Sequence, residues 1–125
     1  ELWARMGTGG TPTYGTGASD YVHTRSTGVT TSFAAAGQTD SKIVLQGATI
    51  GNASTNYFNG ELVIVDPANT SKHKGIRHES FSFSSGGTYY TQGTGRYANT
   101  AAVTAIRLLL SSGNIASGTF ILSGK

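Results

Sequence analysis

Ile106, Leu108 and Leu110 recur at every second position with Arg107 among them. That period puts the three apolar side chains on one face of an extended strand and the guanidinium on the other. The apolar run stops at Ser111-Ser112-Gly113-Asn114, whose small residues tolerate positive φ and bond side chain to backbone, so a reversal is expected there. After the Ser117-Gly118 break, Thr119 to Ser123 alternates again, with Phe120 and Leu122 on one face and Thr119, Ile121 and Ser123 on the other. The end of the chain therefore predicts two antiparallel strands.

Gly, Thr and Ser make up 50 of the 125 residues while only 15 are charged. Such a chain favours turns and strands over solvated helices. Twenty-one Val, Ile, Leu and Met residues and twelve aromatics furnish a core, which sets it apart from disordered sequences. The length suits a single domain over residues 1–125. With no cysteine, disulfides and Cys-based zinc sites are excluded. No apolar run approaches the roughly 18 residues of a membrane span, so membrane insertion is not expected. The net charge of +3 is scattered apart from Lys72, Lys74 and Arg77. Nucleic acid is not expected as a partner, since neutralising many phosphates needs a basic stripe. The chain opens at Glu1 without a methionine, which fits the C-terminal part of a longer protein.

In chain order, Glu1 to Met6 reads as a first strand with Leu2, Ala4 and Met6 on one face. Trp3 lies on the other, open either to packing against the core or a sister subunit or to stacking on a sugar. Gly7 to Gly17, with five glycines and a proline, reads as a surface loop. It lacks the Lys-Ser/Thr pair and following helix of a phosphate loop. Asp20–Arg25 and Val29–Phe33 read as strands separated by a Ser26-Thr27-Gly28 turn. Lys42–Ile50 follows, with Ile43 and Leu45 inward, Val44 and Gln46 outward, and Gly47 at a bulge. Gly51–Asn59 reads as a polar loop. Glu61–Val65, a nearly continuous apolar run, predicts the most buried strand, with Leu62 and Ile64 inward. Lys72–Ser84 reads as an extended or edge strand closed by Gly86-Gly87. Short strands with a turn every eight to twelve residues predict an all-β, antiparallel, jelly-roll-like β-sandwich.

The sequence does not point to catalysis. His73 and His78 fall on opposite faces of an extended segment and lack a third ligand, so no metal or other cofactor is expected. Asp20, Asp40, Glu61, Asp66 and Glu79 could supply a glycosidase pair, but nothing pairs them locally, and no G-x-S-x-G elbow is present. Binding has more support. Tyr14, Tyr57, Tyr89, Tyr90 and Tyr97 sit in or beside stretches rich in Gly, Thr and Asn, where a phenol can stack on a sugar while amides and hydroxyls bond its hydroxyl groups. Gly86–Thr100 is the densest of these expected loops, with Arg96 available to an acidic group. The same tyrosines could instead pack beneath the loops.

Gly95 to Gly124 resembles the closing hairpin of small β-sandwich domains in tailed-bacteriophage virion proteins. Their pattern is Ile-x-x-Ile-Arg, then Ser-Gly-Asn-Ile/Phe-Ala-Ser-Gly-Thr, then Leu-Tyr-Gly. Here Val103-Thr104-Ala105-Ile106-Arg107, Ser112 to Thr119 and Leu122-Ser123-Gly124 occupy those places, with Ser123 where an aromatic is usual. Leu2-Trp3-Ala4-Arg5, the Gly-rich loop and Asp20-Tyr21 are similar to the family's opening. The resemblance implies a jelly-roll-like module of a tail fibre, tail spike or capsid-surface protein, located on the virion. It also implies a homo-oligomer, often a trimer, that contacts other virion proteins and in many cases host-surface carbohydrate. Tyr14, Tyr57, Tyr89, Tyr90, Arg96 and Tyr97 are then the candidate ligand contacts. Trp3, Val63, Val65, Leu109 and Ile121 are the candidate subunit contacts. A capsid decoration or fibre-assembly module with no host ligand is the alternative, and a polysaccharide depolymerase a third.

Overall fold

The computed structural model describes residues 1–29, 32–51, 53–84 and 86–124. Its strands are β1 (Leu2–Thr8), β2 (Thr13–Tyr14), β3 (Tyr21–Val29), β4 (Ser32–Asp40), β5 (Ile43–Gln46), β6 (Tyr57–Val65), β7 (Lys74–Ser84), β8 (Gly87–Tyr97) and β9 (Val103–Leu110). All pairing is antiparallel. A four-stranded sheet has β1 at its centre, flanked by β9 on one side and by β2 and β5 on the other; a five-stranded sheet runs β4-β3-β8-β7-β6. The two face each other as a β-sandwich. Pairing of β1 with β9 and of β3 with β8 brings the early strands back against the late ones, as a rolled-up hairpin does.

Alternation in β1 works as its sequence predicts. Leu2, Ala4 and Met6 point inward and join Tyr21, Ile43, Leu45, Ile76 and Tyr97 in the core. Tyr21 and Tyr97 stack at 5.0 Å. The Tyr21 hydroxyl accepts a hydrogen bond from Met6 N at 2.7 Å, and burial pushes its pKa up to about 12.

Several expectations are corrected. Ser26-Thr27-Gly28 is not a turn but the continuing body of β3, paired on both sides; residues 30 and 31, between β3 and β4, lie outside the described residues. Gln46 points inward, because a register shift opposite Leu2 and Trp3 makes Leu45 an extra residue in β5. Its amide donates to Ser82 Oγ at 2.7 Å and accepts from Thr91 Oγ1 at 2.7 Å, so a buried polar group is satisfied. Glu61–Val65 belongs to β6, a sheet edge whose residues are at most half-buried. Leu62 and Ile64 do pack inward, but the alternate Val63 and Val65 face away from the core. Gly86–Thr100 is not a loop: Gly87–Tyr97 is β8, an interior strand. Thr119–Ser123 forms no strand, and the described residues after Leu110 are exposed.

The lysine cluster also comes apart. Lys72 is exposed, Arg77 faces outward, and Lys74 is buried, its ammonium donating to the carbonyls of Asn69, Lys72 and Thr100. Lys74 thus ties the loop after β6 to the approach to β9 and contributes nothing to a basic surface.

Candidate ligand-binding face

An open trough of about 640 Å³ lies on the outward face of the five-stranded sheet. Because side chains alternate, register dictates its chemistry row by row. Glu61 lies opposite Glu79, Glu79 opposite Gln92, and Gln92 opposite Ser26. One row along, Val63, Arg77, Thr94 and Thr24 lie abreast. Arg96 falls a further row away, between Gly75 and Val22. In the other direction Phe81 lies opposite Tyr90, and Tyr57 opposite Phe83.

These aromatics form a shelf at one end of the trough. Tyr57 and Phe83 sit 4.7 Å apart, and Phe81 meets Tyr57 edge-on at 5.9 Å and Phe83 at 6.2 Å, the geometries that aromatic quadrupoles favour. Tyr57 nevertheless remains 50% exposed, and Phe81 and Tyr90 are exposed too. The Tyr90 hydroxyl stands 3.5 Å from Glu79 Oε2 and 3.4 Å from Gln92 Oε1, linking shelf to polar floor. Like charges placed directly across a strand pair are destabilising. The Glu61–Glu79 pairing is therefore a cost to the fold, and among the described residues neither glutamate enters an ion pair.

Of the candidate ligand contacts, Tyr57, Tyr90 and Arg96 reach this face. Tyr97 does not: it is 2% exposed, stacked on Tyr21, its hydroxyl accepting from Asn99 at 3.3 Å. Tyr89 is on the inward side of β8 and half-buried, and Tyr14 is on the other sheet with the Arg107 guanidinium 3.9 Å above its ring. Glu61, Arg77, Glu79, Phe81, Phe83 and Gln92 are the residues that the tyrosine pattern does not reveal. Period-two alternation through β7 groups four of them, Arg77, Glu79, Phe81 and Phe83, on one face. Among the subunit candidates, Trp3 pairs with Leu109 on the outer side of the four-stranded sheet, with Lys42 Nζ 4.6 Å over the indole. Val63 lines the trough, and Val65 and Ile121 are exposed.

Beneath the trough, on the inward face, lie His23 and His78, 2% and 3% exposed. Their ring nitrogens have no hydrogen-bond partner among the described residues. Burial, and then the charge of Arg25, holds His23 below the ordinary imidazole range, and burial, then the charges of His23 and Arg25, holds His78 down to about 4. Among the described residues no three His, Asp or Glu side chains converge as metal ligands. No protein-family model, curated protein or solved structure matches this chain.

Proposed function

We propose that this chain is a bacteriophage virion module, of a tail fibre, tail spike or capsid surface, that binds host-surface carbohydrate on the outward face of its five-stranded sheet. The closing-hairpin resemblance supports the phage setting. The observation that carries the ligand class is the exposed aromatic shelf set directly beside the carboxylates, amide and hydroxyls of the trough. A pyranose presents an apolar C–H face and an equatorial ring of hydroxyls, and such a surface meets both at once. Glu61, Glu79 and Gln92 accept from sugar hydroxyls, while Arg77 and Arg96 suit an acidic substituent. The contact surface thus moves from the loops to a strand face, keeping Tyr57, Tyr90 and Arg96 and dropping Tyr14, Tyr89 and Tyr97.

Glycan-array and host-cell binding by the domain tests this. Tyr57→Ala is expected to weaken binding about tenfold, the equivalent of ~1.4 kcal/mol, while lowering the melting temperature by only a few degrees, because the residue is already 50% exposed. Absence of binding across susceptible hosts would sink the ligand assignment. Release of reducing ends from a bound polysaccharide would instead favour the depolymerase, with Glu61 and Glu79 as its carboxylates.

One observation favours the assembly reading, in which the module holds a capsid or fibre together: apolar side chains at the end of the chain are left in water. Labelled virions separate the two, since a cement protein decorates the head lattice and an adhesin the fibre tip.

A further inference from the structure

The sandwich is unfinished on one flank. Val103 N donates to Pro67 O at 2.8 Å, so the start of β9 is tied to the end of β6, and these two edge strands lie on the same side. Along that flank the inward side chains Phe58, Leu62 and Ile64 of β6 and Leu108 and Leu110 of β9 are only partly buried. Ile106, inward by its pairing with Met6, is exposed. Among the described residues no strand lies against the outer edge of β9, and it bears neither proline nor lysine, the residues that commonly guard an open edge.

The same chain carries a segment built to close this gap. Thr119–Ser123 alternates as a strand, yet Phe120 is 62% and Ile121 and Leu122 are each 87% exposed. Within one chain, edge and segment are both left open. An edge strand short of a partner and an apolar strand-forming segment on one polypeptide are mutually complementary only between copies when they do not meet within one.

We propose that Thr119–Ser123 of one copy adds as a strand to the outer edge of β9 in a second copy, with Phe120 and Leu122 entering the flank between β9 and β6. Reciprocal exchange gives a two-fold dimer, and head-to-tail exchange gives a closed ring. Neither the ligand nor the phage setting enters this inference.

The test is sedimentation and amide hydrogen exchange on the full chain and on Phe120→Asp/Leu122→Asp. Because both side chains are in water in the single chain, the substitutions leave its fold intact, which an unchanged far-UV spectrum verifies. The full chain should sediment as an oligomer. In it, the alternate β9 amides that point away from β1, together with the amides of residues 119–123, should exchange at least tenfold more slowly than in the double variant, which should be monomeric. A monomeric full chain, with or without a protected tail, overturns the proposal. So does an oligomer that survives both aspartates or leaves the outward β9 amides unprotected.

Discussion

Gly95→Ala is expected to destabilise the domain by at least about 3 kcal/mol, lowering the melting temperature by roughly 10 °C. A β-carbon at Gly95 would lie 2.5 Å from His23 Cβ and 2.5 Å from the Val22 carbonyl oxygen. Both belong to the paired strand β3, not to the free end of a side chain. Relief requires spreading two interior strands that share a ladder over nine residue pairs. Gly93 is similar: its β-carbon would meet His78 Nε2 at 2.3 Å and Thr24 O at 2.8 Å. The control is Gly10→Ala, where nothing lies within 4 Å and the change should be worth less than about 0.5 kcal/mol. Equal melting temperatures for Gly95→Ala and Gly10→Ala would show that the two strands are not in this contact.

Those glycines also explain why β8 is hard to read from sequence. In Thr91-Gln92-Gly93-Thr94-Gly95 the glycines look like turn formers, yet both stand at inward positions of an interior strand, where the His78 imidazole crowds Gly93 and the β3 strand at His23 crowds Gly95. A glycine that makes room and a glycine that bends the chain are the same letter. Elsewhere the alternation that defines β1 and β9 depends only on neighbours two residues away, so it is legible without the fold. The Glu61–Val65 run misleads because its apolar length suggests burial on both faces, whereas Val63 and Val65 look outward from an edge. Thr119–Ser123 has the pattern of a strand but pairs with no strand among the described residues, and pattern alone cannot supply a partner.

Of the candidate face, only Tyr57, Tyr90 and Arg96 are legible in the sequence. Tyr57 and Tyr90 stand out because tyrosine beside Gly and Thr is conspicuous in any conformation. Glu61, Glu79, Gln92 and Arg77 are unremarkable singly. They become a constellation only through the register of β6 on β7 and β7 on β8, which no local spacing encodes. Tyr97 carries the same local signature as Tyr90 and ends in the core, because odd and even positions of one strand have opposite fates.

Acid is expected to weaken the fold well above the pH at which carboxylates titrate. In the unfolded chain His78 has an ordinary pKa of 6.5, and in the fold burial holds it down to about 4. Between these values the unfolded chain binds a proton that the folded one refuses, so stability is complete above pH 6.5 and falls as the pH drops towards 4. At ~1.4 kcal/mol per pH unit, that window is worth roughly 3 kcal/mol, most of it gone by pH 4.5. His23 shifts in the same direction. Burial is the main cause there too; Arg25 and Lys42 also disfavour its protonation and Asp40 favours it, while the charge of His23 in turn disfavours that of His78. Urea midpoints at pH 7.5 and 4.5 measure the effect. His78→Met, which keeps an unbranched apolar side chain over Gly93, should flatten the dependence by roughly 2 kcal/mol. A wild-type midpoint that does not move between the two pH values, or a His78→Met protein that moves as much as wild type, would mean that the paired imidazoles are not held neutral between the sheets.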